Sequence, residues 1–164
     1  VEVDGALVGI NTSHPNCLVV EAIEGGVISE LQYYDTLRRE VKYGVNSRID
    51  ILLEGSGLCY VEVKNVTLKV GNEARFPDAV TARGTKHLHE LSQMVVDGHR
   101  AVMVYLVQRS DCIFFRPEAA IDPVYANALK AAQDSGVEIL CYQCDLSADA
   151  ITVAKPLPFT VDPA

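Results

Sequence analysis

Two carboxylates and a lysine lie close together along a pair of strands that the sequence predicts. Asp50 belongs to a predicted strand at 48–54, and Glu62 and Lys64 belong to the next one, Leu58–Val66. Side chains two positions apart on a strand point to the same face, so Glu62 and Lys64 share a face. An aspartate followed on the adjacent strand by Glu-x-Lys is typical of metal-assisted phosphodiester hydrolysis. Asp50, Glu62 and Lys64 are therefore the candidate catalytic residues.

The loop between these strands decides whether Asp50 joins that face. The apolar face of the first strand consists of Ile49, Ile51 and Leu53. A three-residue loop, Gly55-Ser56-Gly57, places residue 50 opposite residue 62 and keeps the apolar and polar faces separate, whereas a two-residue loop would mix them. Gly57 can supply the left-handed conformation that such a loop favours. Asp50 and Glu62 would then have β-carbons about 5 Å apart, where they repel unless a proton or a cation lies between them.

Carboxylate oxygens are the ligands that Mg²⁺ and Mn²⁺ prefer, so we expect one of these ions at Asp50 and Glu62. A third carboxylate could come from Glu21 on the first predicted helix or from Glu40 at the start of the preceding strand. The sequence does not decide between them. Lys64 would stabilise the negative charge that develops on the phosphate. The alternative for the whole set is the solvated polar face of an amphipathic hairpin.

A second group of candidate residues lies where a helix is predicted to begin. Residues 76–88 place Arg83, Lys86 and His87 in its first turns. Arg83 and Lys86 are three positions apart and can share a face. Cationic side chains beside the free N–H groups of a helix start bind phosphate. Together with Arg48 these are the candidate DNA-binding residues, and the alternative is a frayed first turn.

The elements that must position these residues alternate between helix and strand. Helices are predicted at His14–Glu24, 82–97 and 123–136, and strands at 40–43, 48–54, Leu58–Val66, 101–107 and 137–142, with a short strand region in 1–11 and an edge strand or loop in the tail. Ser13 and Asp122 are predicted helix caps. Residues 27–39 allow a short helix, and 71–81 is predicted as a polar loop.

The connections between these elements predict the fold class. The first three strands follow one another through short connections and are therefore antiparallel, whereas the last two follow helices and are therefore crossover strands. The prediction is an α/β protein with a mixed β-sheet sandwiched by helices. No glycine-rich phosphate loop is present, so a nucleotide-binding fold is not indicated.

The overall charge is acidic but uneven. The 164 residues carry a formal net charge of −8, which argues against a protein that coats nucleic acid with its whole surface. Residues 38–86 sum to +3 and the rest of the chain to −11. No apolar run approaches the ~20 residues of a membrane helix, so no membrane partner is expected.

Cysteine usage indicates a reducing compartment. The chain has five cysteines without regular spacing, which is a poor disulfide framework and predicts a cytoplasmic location. Cys141 and Cys144 form a C-x-x-C, but within a strand they point to opposite faces. We therefore expect free, buried thiols and no zinc or redox centre.

Four motifs in order carry a family resemblance. They are Arg39-Glu-Val-Lys-Tyr-Gly, Ser47-Arg-Ile-Asp, Tyr60-Val-Glu-Val-Lys-Asn-Val-Thr-Leu and Phe76-Pro-Asp-Ala-Val-Thr-Ala-Arg-Gly-Thr-Lys-His-Leu. With them the chain resembles the sugar fermentation stimulation protein family from about residue 11 to residue 157. The resemblance implies a restriction-endonuclease-like αβββαβ core over 11–164. It also implies a small OB-like domain in front, of which residues 1–10 would be a linking strand or remnant.

The resemblance also implies roles for the candidate residues. Asp50 takes the place of the nuclease aspartate, Glu62 that of the second metal carboxylate and Lys64 that of the lysine. Glu21 corresponds to the acidic residue of the first helix, with Glu40 competing for that role. The implied function is DNA binding with phosphodiester hydrolysis by a metal-activated water. The alternative is a non-catalytic DNA-binding regulator of sugar (maltose) metabolism genes. The oligomeric state stays open, a homodimer included.

Overall fold

The computed structural model describes residues 1–163. The strands are β1 (Glu2–Val3), β2 (Ala6–Leu7), β3 (Thr36–Tyr43), β4 (Ser47–Glu54), β5 (Leu58–Val66), β6 (Leu68–Val70), β7 (Glu73–Phe76), β8 (Arg100–Val107), β9 (Phe114–Pro117), β10 (Glu138–Leu146) and β11 (Ile151–Pro156). The helices are α1 (His14–Glu24), α2 (Ala82–Val96) and α3 (Pro123–Asp134), with a short 3₁₀ helix at Ser29–Leu31.

A six-stranded mixed sheet forms the centre of the molecule, in the order β11-β10-β8-β5-β4-β3. The pairs β3–β4 and β4–β5 are antiparallel, and β8 pairs in parallel with both β5 and β10. The predicted antiparallel trio and the two predicted crossover strands are therefore confirmed. Helices cover both faces, so the expected α/β sandwich around a mixed sheet is also confirmed.

The two faces of the sheet build two separate apolar cores. Strand β8 shows the division best, because its residues alternate between the cores. Ala101, Met103, Tyr105 and Val107 pack with α2 and α3, whereas Val102, Val104 and Leu106 pack with α1. A strand buried on both faces is expected to be continuously apolar. Strand β8 pairs with β5 in the middle of the sheet, and β5 carries two of the three candidate catalytic residues.

The helix starts differ from one another in how they are capped. Asp122 caps α3 as predicted, because its Oδ1 accepts a hydrogen bond of 2.9 Å from the N–H of Tyr125. Its Oδ2 accepts a second one, also 2.9 Å, from the N–H of Thr81 at the start of α2. Ser13 was expected to cap α1, but its hydroxyl donates to Asn11 instead and makes no capping bond.

The structure differs from the predicted boundaries in two places. The short helix that residues 27–39 allow is the 3₁₀ helix at Ser29–Leu31, but β3 begins at Thr36, four residues before the predicted strand. The predicted loop at 71–81 contains β7, which pairs with β6 through a two-residue turn at Gly71-Asn72 and in parallel with β9. Gly71 has a φ of +62°, a left-handed conformation that glycine adopts without steric cost. This conformation suits the two-residue turn of the hairpin.

All five cysteines are free thiols, and four of them are buried, whereas Cys17 is half-buried. Cys141 and Cys144 pack in the cores on opposite faces of the sheet, as predicted. Across residues 1–163 no helix has the length and apolar character to span a bilayer.

We predict that Asp122→Ala lowers the free energy of unfolding by about 1–3 kcal/mol, because one buried carboxylate joins the starts of two helices. Urea unfolding followed by circular dichroism measures the change. Asp162→Ala, an exposed aspartate near the tail, is the control and should cost under about 0.5 kcal/mol. Equal effects of the two substitutions would contradict the prediction.

Candidate functional site

The hairpin formed by β4 and β5 has the predicted register. Glu54 pairs with Leu58 and Ile51 with Val61, so the loop is Gly55-Ser56-Gly57 as predicted, and the pairing ends one position before residues 50 and 62. Gly57 was expected to be left-handed, but it is not among the glycines with positive φ. The loop closes instead with a 3.0 Å hydrogen bond from the N–H of Gly55 to the carbonyl of Gly57.

The alternation of side chains breaks at Asp50. Ile51 packs in the core beside α1, whereas Ile49 packs in the core beside α2 and α3. The prediction that Ile49 and Ile51 share a face is therefore wrong. The neighbouring strand β3 is irregular at the same place. Arg39 pairs with Ile51 and Val41 with Ile49, so Glu40 lies opposite Asp50, and it has a φ of +54°. A non-glycine residue in this conformation interrupts regular pleating.

The carboxylate of Asp50 occupies this irregular point. The paired residues of β4 and β5 end at Ile51 and Val61, and beyond them Oδ2 of Asp50 accepts a 2.8 Å hydrogen bond from the N–H of Val63. Oδ1 accepts one of 3.0 Å from the side-chain amide of Asn16 on α1. Asp50 is thus fixed by a strand on one side and by a helix on the other.

Burial and the nearby charge of Glu62 raise the pKa of Asp50 to about 6, against the opposing effect of the hydrogen bonds from Val63 and Asn16 and of the charge of Lys64. Two carboxylates therefore lie close enough to repel, as the register predicted. A proton or a cation between them relieves that repulsion.

Glu62 is the most deeply buried carboxylate of the site, with a side chain that is 3% exposed. Its Oε1 lies 2.9 Å from Nδ1 of His87 and 3.2 Å from Nζ of Lys64. Burial pushes the pKa of Glu62 upward, but the hydrogen bond with His87 and the charge of Lys64 outweigh it and hold the pKa below its usual value. Its Oε2 is buried and has no hydrogen-bond partner among the described residues.

His87, a candidate DNA-binding residue in the first turns of α2, is buried. The residue is 5% exposed, and its Nδ1 lies 3.0 Å from Nζ of Lys64 as well as close to Glu62. The pattern did contain the signal, because His87 is in line with Leu88 and Leu91 on the buried stripe of α2. A histidine on the apolar stripe of a helix faces the sheet and not the solvent.

The two candidates for a third carboxylate lie outside this group. Glu21 and Glu40 are both exposed, and Glu21 lines a different cavity, formed by α1 and the β10–β11 turn. Within residues 1–163 no three His, Cys, Asp or Glu side chains gather closely enough to hold a metal among themselves. Asp50 and Glu62 are thus the carboxylates that could hold an ion here, with the unpartnered Oε2 of Glu62 as the oxygen left free to bind it.

The four candidate DNA-binding residues come together around one cavity. This basic cavity has a volume of about 330 Å³ and is lined by Asn46, Ser47, Arg48, Arg83, Lys86 and His87. The amine of Lys86 is partly occupied, since it donates a 2.9 Å hydrogen bond to the carbonyl of Val45. The β3–β4 turn and the first turns of α2 thus form opposite walls of the cavity.

Sequence reasoning missed two side chains that position these walls. Glu90 lies one turn after His87 on α2, and its Oε1 accepts a 2.8 Å hydrogen bond from the hydroxyl of Ser47 on β4. Oε2 of Glu90 is buried without a partner among the described residues. The spacing of three residues from His87 to Glu90 was the available signal.

Comparison with known proteins places the chain in a family. A family model described as "Sugar fermentation stimulation protein RE domain" matches residues 13–150. The chain belongs to the sugar fermentation stimulation protein family. The resemblance of the four sequence motifs is thereby confirmed.

Several members of this family are closely similar in sequence. The homologue from Paramagnetospirillum magneticum is 62% identical over 159 residues, which cover 96% of this chain and 67% of the relative. The homologue from Rhodospirillum centenum is 59% identical over 160 residues, covering 96% and 69%. This chain therefore spans about two thirds of the length of these relatives.

A solved structure in the family has the same fold. It is described as the structure of Pyrococcus furiosus SfsA in complex with Ca²⁺, is 30% identical, and aligns with a TM-score of 0.90 over 97% of this chain and 69% of that one. The α/β arrangement of residues 1–163 is therefore a family property.

We predict that the titration of Asp50 makes the metal-free domain less stable as pH rises from about 4 to about 6. In this window the folded chain keeps a proton on Asp50 that the unfolded chain has lost, since the pKa of Asp50 is about 6 when folded and about 4 when unfolded. The raised pKa thus costs stability above pH 6. Asp50→Asn, which cannot titrate, should show a smaller fall than the wild type when urea unfolding is measured across this range with EDTA present. Parallel pH profiles of the two proteins would contradict the assignment.

Proposed function

We propose that this domain binds DNA and hydrolyses its phosphodiester bonds with a divalent cation, Mg²⁺ or Mn²⁺. The observation that carries the proposal is the group formed by Asp50, Glu62 and Lys64, in which two close carboxylates repel and Oε2 of Glu62 is buried without a partner. Apart from the short 3₁₀ helix and the β6–β7 hairpin, the order α1, β3, β4, β5, α2, β8 also agrees with the restriction-endonuclease-like core that the motifs led us to expect. The relationship to the restriction-endonuclease-like fold is part of the proposal.

The donor set fits a hard divalent cation. Both candidate ligands are carboxylates, which suit Mg²⁺, Mn²⁺ and Ca²⁺. That SfsA from Pyrococcus furiosus is described in complex with Ca²⁺ supports divalent-cation binding by the family. An ion held by Asp50 and Glu62 would act as a Lewis acid towards the phosphate that is cleaved.

The protein's own side chains supply the remaining parts of the reaction. Asp50 must lose its proton to bind a cation, which its pKa of about 6 allows at neutral pH. Lys64 lies beside Glu62 at 3.2 Å and can stabilise negative charge that develops on the phosphate. His87 contacts both Glu62 and Lys64 and holds them in place. Groups that orient catalytic side chains in this way are needed for the reacting geometry.

The basic cavity supplies the contacts with nucleic acid. Arg48, Arg83 and Lys86 carry positive charge next to the carboxylate centre, and His87 belongs to both. Contacts to phosphates fix the register of a nucleic acid without reading its sequence. We therefore expect binding that depends on salt and only weakly on base sequence.

A second function is favoured by the positions of Glu21 and Glu40. Neither is brought to Asp50 and Glu62, so the third carboxylate expected of a nuclease is not in place among the described residues. The domain could then bind DNA without cleaving it and act as a regulator of sugar (maltose) metabolism genes, as the family name suggests. A cytoplasmic location and a homodimer remain predictions in both cases.

We predict that the wild type binds Mn²⁺ and that Asp50→Ala and Glu62→Gln each lose this binding by at least about tenfold, because each removes a charged ligand. Isothermal titration calorimetry measures the affinity, and thermal unfolding verifies that the variants are folded. Asp149→Ala, which removes an exposed carboxylate elsewhere, should bind as the wild type does. A loss in Glu21→Gln or Glu40→Gln would identify the third ligand, and unchanged binding in Asp50→Ala would reject the site.

We further predict that Lys64→Ala abolishes cleavage of plasmid and linear DNA but retains Mn²⁺ binding, because the lysine acts on the phosphate rather than on the ion. The control is Lys155→Ala, an exposed lysine on β11, which should cleave normally. Gel shifts that show binding without cleavage in Mg²⁺, Mn²⁺ and Ca²⁺ would favour the regulator. Equal cleavage by Lys64→Ala and the wild type, each purified to exclude contaminating nuclease, would refute the mechanism.

A further inference from the structure

We propose that the basic cavity is a pocket for one phosphate group of the bound nucleic acid, next to the phosphate that is cleaved. This rests on the proposed function and deepens it, because it assigns a defined subsite to the DNA. The ligand class is a sugar phosphate. It could be a 5′-terminal phosphate or a phosphate inside the strand.

Two arginines at the basic cavity have no carboxylate partner among the described residues. The chain has eight, and five form salt bridges with carboxylates. The paired arginines are Arg38, Arg75, Arg100, Arg109 and Arg116. Arg48 and Arg83 have no ion pair within residues 1–163, yet both line the same cavity. A guanidinium presents a planar fork of donors that matches a phosphate, so two unpaired ones on one cavity indicate an anionic ligand.

A buried polar side chain, His87, lies at the same cavity. His87 lines it although its side chain is only 7% exposed. Nδ1 of His87 is engaged with Glu62 and Lys64. The nitrogen that His87 can offer to a molecule in the cavity is therefore Nε2.

The walls of the basic cavity are held in place by hydrogen bonds, and its volume is small. Lys86 is tied to the carbonyl of Val45, and Ser47 is tied to Glu90, so the β3–β4 turn is fastened to α2 at two places. The volume of about 330 Å³ is at the lower end for a ligand pocket. It suits a single phosphate with its sugar better than a long stretch of backbone.

The position of the pocket follows from His87. This residue contacts Glu62 and Lys64 through Nδ1 and lines the basic cavity with the rest of its ring. A phosphate in the cavity is therefore separated from the carboxylate centre by one side chain. The neighbouring phosphate of the same strand is then presented to Asp50 and Glu62.

The experiment measures DNA binding by fluorescence anisotropy in EDTA, so that it does not depend on metal or cleavage. Duplexes with a 5′-phosphate or a 5′-hydroxyl are compared for the wild type, Arg48→Gln, Arg83→Gln and the matched control Arg39→Gln. Arg39 is exposed, has no ion pair within residues 1–163 and does not line the cavity. Arg48 and Arg83 are on the surface, so their replacement should leave folding intact.

We expect Arg48→Gln and Arg83→Gln to weaken binding by about tenfold and to lower the salt dependence by about one phosphate contact each, with Arg39→Gln weakening it much less. If the pocket takes a terminal phosphate, the wild type prefers the phosphorylated duplex and both variants lose that preference. If it takes an internal phosphate, both duplexes bind equally and weaken equally in the variants. If neither variant weakens binding more than Arg39→Gln does, the pocket is refuted while DNA binding stands.

Inorganic phosphate separates failure of the pocket from failure of the proposed function. Should the wild type bind no DNA, the proposed function fails, and the pocket is tested by amide chemical shifts in a phosphate titration. Saturable shifts around Arg48 and Arg83, absent in the Arg83→Gln variant, would then support an anion pocket. Their absence in the wild type would refute it.

Discussion

The arrangement of the candidate site depends on a carboxylate that is buried in the middle of the central sheet. Glu62 lies on β5 and is 3% exposed, and an ionised carboxylate in that position is tolerated only when other groups compensate its charge. One oxygen receives that compensation from His87 and Lys64, and the other receives none from the described residues. The sheet therefore holds a charge that is half satisfied. A half-satisfied buried charge of this kind costs stability, and the cation proposed for the site would compensate it.

The irregular backbone around Asp50 follows from the same requirement. A strictly alternating strand would carry Ile49 and Ile51 on one face, and only one of the two cores would be filled at this end of the sheet. The break at Asp50, matched by the positive φ of Glu40 on β3, sends Ile49 and Ile51 to opposite cores. It also frees the N–H of Val63 to bind the carboxylate of Asp50. Functional sites are where local rules of regular structure are expected to be violated.

The sequence predicts those parts that depend on local chemistry or on one buried face. The register of β4 and β5 follows from a three-residue loop and from the apolar residues opposite each other, and the buried β8 follows from its continuous apolar run. Asp122 is recognisable as a cap because Pro123 follows it. The conformation of Glu40 could not be predicted in this way, because it depends on an element distant in the chain. The burial of His87 was missed although its place beside Leu88 and Leu91 on the apolar stripe of α2 indicated it. The hairpin at Gly71-Asn72 was missed although its turn residues are favourable, since each flanking strand has only three or four residues.

The distribution of charge explains how an acidic chain can offer a site for a polyanion. Most arginines of this protein are neutralised by carboxylates of their own chain, so the net charge of −8 repels nucleic acid from most of the surface. The charges of Arg48 and Arg83 are not compensated by any carboxylate of the described residues, and both line the cavity that His87 separates from Asp50 and Glu62. A cation bound by these two carboxylates would reduce the repulsion between them and make the same face more positive. Binding of the ion and binding of the phosphate chain would therefore reinforce one another, and both would favour the face where the candidate catalytic residues lie as the place where the proposed DNA ligand binds.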